Sequence, residues 1–211
     1  MNTRKLVSLV LALAMVLTMG LSASAETVTE LPRNETLYFA GQQWGAVVTW
    51  NPIGVNQNNA MACTVNPWGA RTVMFETLYM YDFMDGSMKP LLAEGDYAWN
   101  ESLTEVTVKL NKAAKWSDGT PVTAADVAAT WDVSVKIGNG NATNYSAFIS
   151  GIEAVDDSTI LIKAALNGDA PVNPLKVVEY LGNAFVAQKA WIETVCARNN
   201  DDATAILNDA A

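Results

Sequence analysis

The stretch WSDGTPVTAADVAATWD, residues 116–132, leaves the chain little conformational choice. It follows EVTVKLN, residues 105–111, which places Val106, Val108 and Leu110 on one face and Thr107 and Lys109 on the other. That alternation is the period of a half-buried strand. KWSDGTP then turns the chain, with Gly119 suited to a left-handed backbone position. Thr123 is the expected helix N-cap and Asp126 stands three residues later, a T-x-x-D version of the capping box whose carboxylate also faces the positive end of the helix dipole. Val122 and Val127 occupy the two positions of a hydrophobic staple. The pattern predicts a helix from Ala124 to about Lys136, stopping before GNGN. A strand joined to a helix by so firmly built a corner points to a mixed α/β fold. Nothing in the corner itself performs chemistry.

The remaining elements are read around this anchor. Arg4 and Lys5 precede the apolar run LVSLVLALAMVLTMGL, and Ala23-Ser24-Ala25 supplies an A-x-A site, so residues 1–25 are expected to be a cleaved export signal. No Cys stands at that site to carry a lipid anchor, and a soluble periplasmic or secreted protein is expected. ETLYFAG, residues 35–41, reads as a strand. ARTVMFETLYMYD, residues 70–82, is expected to begin as a helix and to pass into a short strand near Leu78 to Asp82, with a turn at MDGS. GIEAVDDSTILIKAAL, residues 151–166, reads as a hairpin turning at Asp156-Asp157-Ser158. NPLKVVEYLG is predicted helical, NAFVA a short strand and QKAWIETVCARN a helix.

Composition narrows the function. The formal net charge of −9 becomes −11 once Arg4 and Lys5 are removed with the signal. Nucleic acid and anionic membrane surfaces would both repel such a chain. There is no histidine, which rules out Ser-His-Asp and Cys-His catalysis and histidine metal sites. Two cysteines, Cys63 and Cys196, make no recognisable zinc site, and their wide separation gives a disulfide no local support. Phosphate-loop, nucleophile-elbow and dinucleotide fingerprints are missing. No cofactor or metal is expected. Asp118, between Ser117 and Gly119, reads as a turn former rather than a catalytic acid.

Residues 42–69 hold no charged side chain yet carry Trp44, Trp50 and Trp68 among Asn, Gln, Gly and Pro. Long loops of this kind are usually functional or disordered, and three tryptophans argue against disorder. A flat indole there can stack on a sugar ring or a peptide side chain. Trp44, Trp50 and Trp68, with Gln42, Gln43 and Asn51 as polar partners, are therefore the expected ligand contacts. Trp99, Trp116, Trp131 and Trp191 are expected to pack in the core.

Residues 88–132, MKPLLAEGDYAWNESLTEVTVKLNKAAKWSDGTPVTAADVAATWD, resemble the signature region of the family 5 extracellular solute-binding proteins, with Trp116 where the family pattern has Phe. The matching order continues through ETLYFAG, ETLYMYD and GIEAVDDSTILIKA. The resemblance implies a class II, two-lobed periplasmic-binding-protein-like fold that closes on its ligand like a hinged clamp. Family members are much longer than this chain, so it implies that residues 26–211 are an N-terminal lobe portion, the second lobe lying outside them. It further implies a non-enzymatic, monomeric partner of ABC permease subunits that binds oligopeptides or oligosaccharides. The loops GQQWG, TWNP and NPWG resemble those of oligosaccharide-binding members, where tryptophans stack on sugars. A secreted glycosidase or carbohydrate-binding module using the same tryptophans is the rival reading.

Overall fold

The computed structural model describes Asn34, Asn51, Ile53, residues 75–138 and residues 140–208. The export signal, the ETLYFAG strand, the helical start at residues 70–74 and Cys63 lie outside the described residues.

The centre of the molecule is a four-stranded antiparallel sheet in the order β3-β4-β6-β5. It is built from β3 (Ala98–Trp99), β4 (Glu105–Lys109), β5 (Ile149–Ala154) and β6 (Thr159–Ala164). The alternating faces behave as the sequence demands. Val106, Val108, Ile160 and Ile162 are buried without residual exposure, each contributing about 1.5–3 kcal/mol of apolar burial. Opposite them in register, Val106 pairs with Ile162 and Val108 with Ile160 across the β4–β6 ladder. The β5–β6 hairpin turns where expected, and Asp156 holds the turn by accepting from the Ser158 backbone N–H at 2.7 Å. The hairpin ends sooner than its apolar run, because Leu166 leaves the sheet and pairs with Pro171 in a second hairpin of β7 (Leu166–Asn167) and β8 (Ala170–Pro171).

A short hairpin, β1 (Tyr79–Tyr81) with β2 (Met88–Pro90), precedes the sheet. Its turn is closed by Gly86 at φ +72° and by the Asp85–Lys89 ion pair at 2.7 Å. Helix α1 (Ala124–Ile137) packs on β5, and its expected start and end are both met within a residue. Gly138 caps it in the left-handed conformation, φ +65°, with its N–H reaching back to Val135 and Ser134 carbonyls. A further short helix, α2 (Gly140–Tyr145), begins inside the GNGN breaker itself, whose residues conceal it. Helix α3 (Pro174–Asn183) starts with Asn173 accepting from Leu175 N–H and Pro174 at the first position. Helix α4 (Lys189–Ala197) and a 3-10 segment (Ala203–Asn208) complete the described chain.

NAFVA is not a strand. Phe185 makes a single bridge with Thr77 and the Val186 N–H donates to the Glu76 carbonyl at 3.4 Å, but the pairing stops at Ala187, whose N–H donates to Thr130 Oγ1 instead.

The buried residues form two clusters on opposite sides of α1. The larger contains the sheet, Leu78, Tyr79, Trp131, Tyr145, Tyr180 and Leu181. The smaller contains Ile53, Val133, Ala187, Ile192, Val195, Ala203 and Ile206. Trp99 and Trp116 pack against the first and Trp191 against the second, all three partly exposed, whereas Trp131 is buried within the first.

Candidate functional site

The capped corner turns out to serve two helices. Thr123, extended at φ −122° and ψ 162°, precedes α1, and its N–H donates to Asp126 Oδ2 at 2.8 Å. The Thr123 hydroxyl donates to the same oxygen at 3.0 Å, and Trp116 Nε1 does so at 3.3 Å. The other oxygen, Oδ1, accepts from the Lys189 backbone N–H at 2.7 Å. Lys189 is the first residue of α4, so one carboxylate satisfies orphan donors at the starts of α1 and α4 together. Asp126 is buried, and no rotation could turn it toward a reacting group without abandoning these partners.

The segment between α3 and α4 is fixed to the corner at three successive residues. Ala187 is held by Thr130 and Lys189 by Asp126. Gln188 between them donates through Nε2 to Asp118 Oδ2 at 2.8 Å and to Thr120 Oγ1 at 3.1 Å. Asp118 is the turn former expected of it, accepting from the Thr120 N–H at 2.8 Å and from its hydroxyl. The Thr120 hydroxyl first and Gln188 second hold its carboxyl below the ordinary carboxylate range. Neither Asp118 nor Asp126 is placed as a free acid or base, so the corner supplies no glycosidase pair. Thr130 and Gln188 are missed by sequence reading. A polar, β-branched residue on the buried face of α1 was the available signal for the first; Gln188 carries none, because its partners lie 70 and 68 residues away.

Between the corner and α4 lies a groove of about 260 Å³ lined by Trp116, Thr120, Pro121, Gln188, Lys189 and Glu193, among others. Pockets that bury a drug-sized ligand begin at about 300 Å³ and are mostly apolar. Here the position an anion would take at the two helix starts is already filled by Asp126. The groove is the seam of a joint. Among the described residues no cluster of His, Cys, Asp or Glu could hold a metal ion.

Of the six expected ligand contacts, Gln42, Gln43, Trp44, Trp50 and Trp68 lie outside the described residues. Asn51 is described, and it is completely buried. Its Nδ2 donates to the Ile206 carbonyl at 2.5 Å and its Oδ1 accepts from the Ile53 N–H at 2.8 Å. The side chain ties Asn51 to Ile53 and to the smaller core and does not face solvent. The polarity that suggested a hydroxyl partner is spent on the protein's own backbone.

With this geometry in hand, comparison with known proteins gives a consistent result. The family model of the bacterial extracellular solute-binding proteins, family 5 Middle, matches residues 87–205. The periplasmic oligopeptide-binding protein OppA of Escherichia coli K12 is 33% identical over 108 residues, covering 41% of this chain and 19% of OppA. The probable D,D-dipeptide-binding periplasmic protein DdpA of the same organism is 30% identical over 141 residues, covering 58% of this chain and 27% of DdpA. Among solved structures, the mannohexaose-bound periplasmic oligopeptide-binding protein of Thermotoga maritima matches with a TM-score of 0.60 and 27% identity, over 85% of this chain and 30% of its own. The PBP AgaA from A. tumefaciens R10, in complex with agropinic acid, matches with a TM-score of 0.53 and 26% identity, over 75% of this chain and 29% of its own. The chain spans less than a third of the length of each of these four proteins. No helix among the described residues is long and apolar enough to cross a membrane.

Proposed function

Since the chain belongs to the bacterial extracellular solute-binding proteins of family 5, we propose that residues 26–211 are the N-terminal lobe portion of the extracytoplasmic binding component of an ABC importer. The importer's permease subunits are its partners, and the binding component works as a monomer. Its ligand is an oligosaccharide or an oligopeptide held in a cleft between two lobes, without catalysis.

The observation that carries this reading is the match over residues 87–205, whose sheet, corner and helix are the described core. The ligand class is supported by two facts of different kinds. A relative of similar fold carries the name periplasmic oligopeptide-binding protein and was solved with mannohexaose bound, which supports keeping both ligand classes in the proposal. The uncharged stretch of residues 42–69 offers indoles and carboxamides, the groups that meet sugar faces and hydroxyls, or peptide backbones, without imposing a charge requirement. We assign Trp44, Trp50 and Trp68 to stacking and Gln42 and Gln43 to polar contact. Asn51 is left out of the contact set because its side chain is committed internally.

The test is tryptophan emission of the complete protein titrated with mannohexaose, cellohexaose and a panel of penta- to nonapeptides. A saturable change with at least one ligand, reduced tenfold or more in affinity by Trp44→Ala, Trp50→Ala or Trp68→Ala, is expected. No change with any sugar or peptide would refute the assignment.

A further inference from the structure

The joint between the corner and α4 leaves a groove whose walls come from both. Trp116 lines it, partly exposed, with the rest of its indole packed against the larger core and its Nε1 held by Asp126. The indole is therefore fixed in place before anything binds. Pro121 and Ala190 add apolar surface to the groove, and Gln188, Lys189 and Glu193 add polar groups. At about 260 Å³ the space is smaller than pockets that bury a drug-sized molecule, yet it admits a single ring.

The polar groups define which ring. The Asp118 carboxylate can only accept, so Gln188 must turn Nε2 toward it, and that nitrogen also donates to Thr120 Oγ1. Both Nε2 protons are thereby engaged, and Oε1 is left without a hydrogen-bond partner among the described residues. Glu193 meets Lys189 Nζ through Oε1 at 3.5 Å and keeps Oε2 free among the same residues. Two unengaged acceptors on one groove suit a ligand that brings hydroxyl donors. Charge points the same way. Asp126 stands at the starts of α1 and α4, whose dipoles together amount to about one positive charge, and Glu193 is offset by Lys189. The groove is close to neutral and favours neither an anion nor a cation. We propose that it is a saccharide-binding site, in which one neutral pyranose ring lays its C–H face on the Trp116 indole and donates hydroxyls to Gln188 Oε1 and Glu193 Oε2. The site is made wholly of described residues and does not rest on the assignment of Trp44, Trp50 and Trp68 to the ligand cleft.

The experiment follows the indole N–H resonances of the complete protein, labelled with a nitrogen isotope, during titration with methyl α-mannopyranoside and methyl β-glucopyranoside. The Trp116 resonance is assigned by its disappearance in Trp116→Phe. Weak, saturable movement of that resonance with at least one glycoside is expected, since a single ring makes few contacts. Ala190→Leu sets a larger side chain into the groove wall at an exposed helical position where leucine is well suited. It should leave the urea midpoint unchanged and lower the affinity at least tenfold. Glu193→Ala, also at an exposed position, should lower it several-fold. Methylammonium, acetate and N-acetylprolinamide serve as a cation, an anion and an apolar ring for comparison. No movement with either glycoside, movement undiminished in Ala190→Leu, or an equal response to any comparison probe would overturn the assignment. Trp44→Ala, Trp50→Ala and Trp68→Ala, made singly, should leave the Trp116 response intact; its loss in any of them would place the ring elsewhere and overturn the site. Failure of oligosaccharides and peptides to bind in the cleft would leave a positive result at Trp116 standing, so the two assignments fail separately.

Discussion

Asp126 shows how much one carboxylate can organise. It accepts from Thr123, Trp116 and Lys189 and so binds two helix starts and an indole. Hydrogen bonds to a charged acceptor are each worth about 1.5–3 kcal/mol, and donors stranded in a buried site add their desolvation cost. Asp126→Ala should therefore destabilise the chain by about 3 kcal/mol, read as a lower urea midpoint with an unchanged slope. Asp126→Asn should do little better, because its NH2 must face one of the N–H donors. Half of this site was visible in the sequence, since Thr123 and Asp126 have capping-box spacing. The other half was not, because the Lys189 N–H is a backbone donor 63 residues away and backbone donors have no sequence signature. Asn51 illustrates the opposite error. Its residue type suggested a ligand contact, and only the placement of Ile206 and Ile53 reveals where its amide is spent.

At the level of elements, periodicity and caps were legible where the determinants are local. The extent of α1 follows from Thr123 at one end and Gly138 at the other. Gly138 lies at φ +65° with open space where a Cβ would stand, so Gly138→Ala should cost only the backbone strain, about 1 kcal/mol, measured by thermal or urea unfolding. The short helix α2 and the bridge at Phe185 were not legible, being set by packing and by Thr130 rather than by local pattern. Packing between elements also fixes an alkaline limit. Trp131 of α1 meets Tyr180 of α3 edge to face at 5.5 Å, and Tyr180 meets Tyr145 of α2 at 5.5 Å. Burial pushes Tyr145 up to about 12 and raises Tyr180 as well, and burial likewise pushes Tyr79, which donates to the Gly95 carbonyl, up to about 12. Unfolded tyrosine releases its proton near pH 10, so above that pH the unfolded chain binds fewer protons than the folded one. The stability these phenols confer is complete below about pH 10 and falls as pH rises through about 12. An absorbance titration at about 295 nm should show these three phenols ionising together with unfolding; smooth independent ionisation near pH 10 with the fold intact would contradict the packing.

For the whole molecule, the described residues form a framework: an antiparallel sheet, a capped helix across it, and a second small core built on that helix's far side. The family model covers most of this framework, residues 87–205, and its sheet and capped helix were legible in the sequence because their signals are local and contiguous. The ligand class is a proposal drawn from uncharged loops rich in indole and amide, and a particular ligand leaves no contiguous pattern, since its contacts are gathered from separated loops. On the proposed function the molecule retains a solute and leaves it chemically intact. The most direct measurement is equilibrium dialysis of the complete protein against mannohexaose and against a pentapeptide, followed by chromatography of the ligand recovered after denaturation. The account predicts saturable retention of at least one of them, at one ligand per protein, with the ligand recovered at its original length. Retention of neither, or recovery of shortened products, would contradict it.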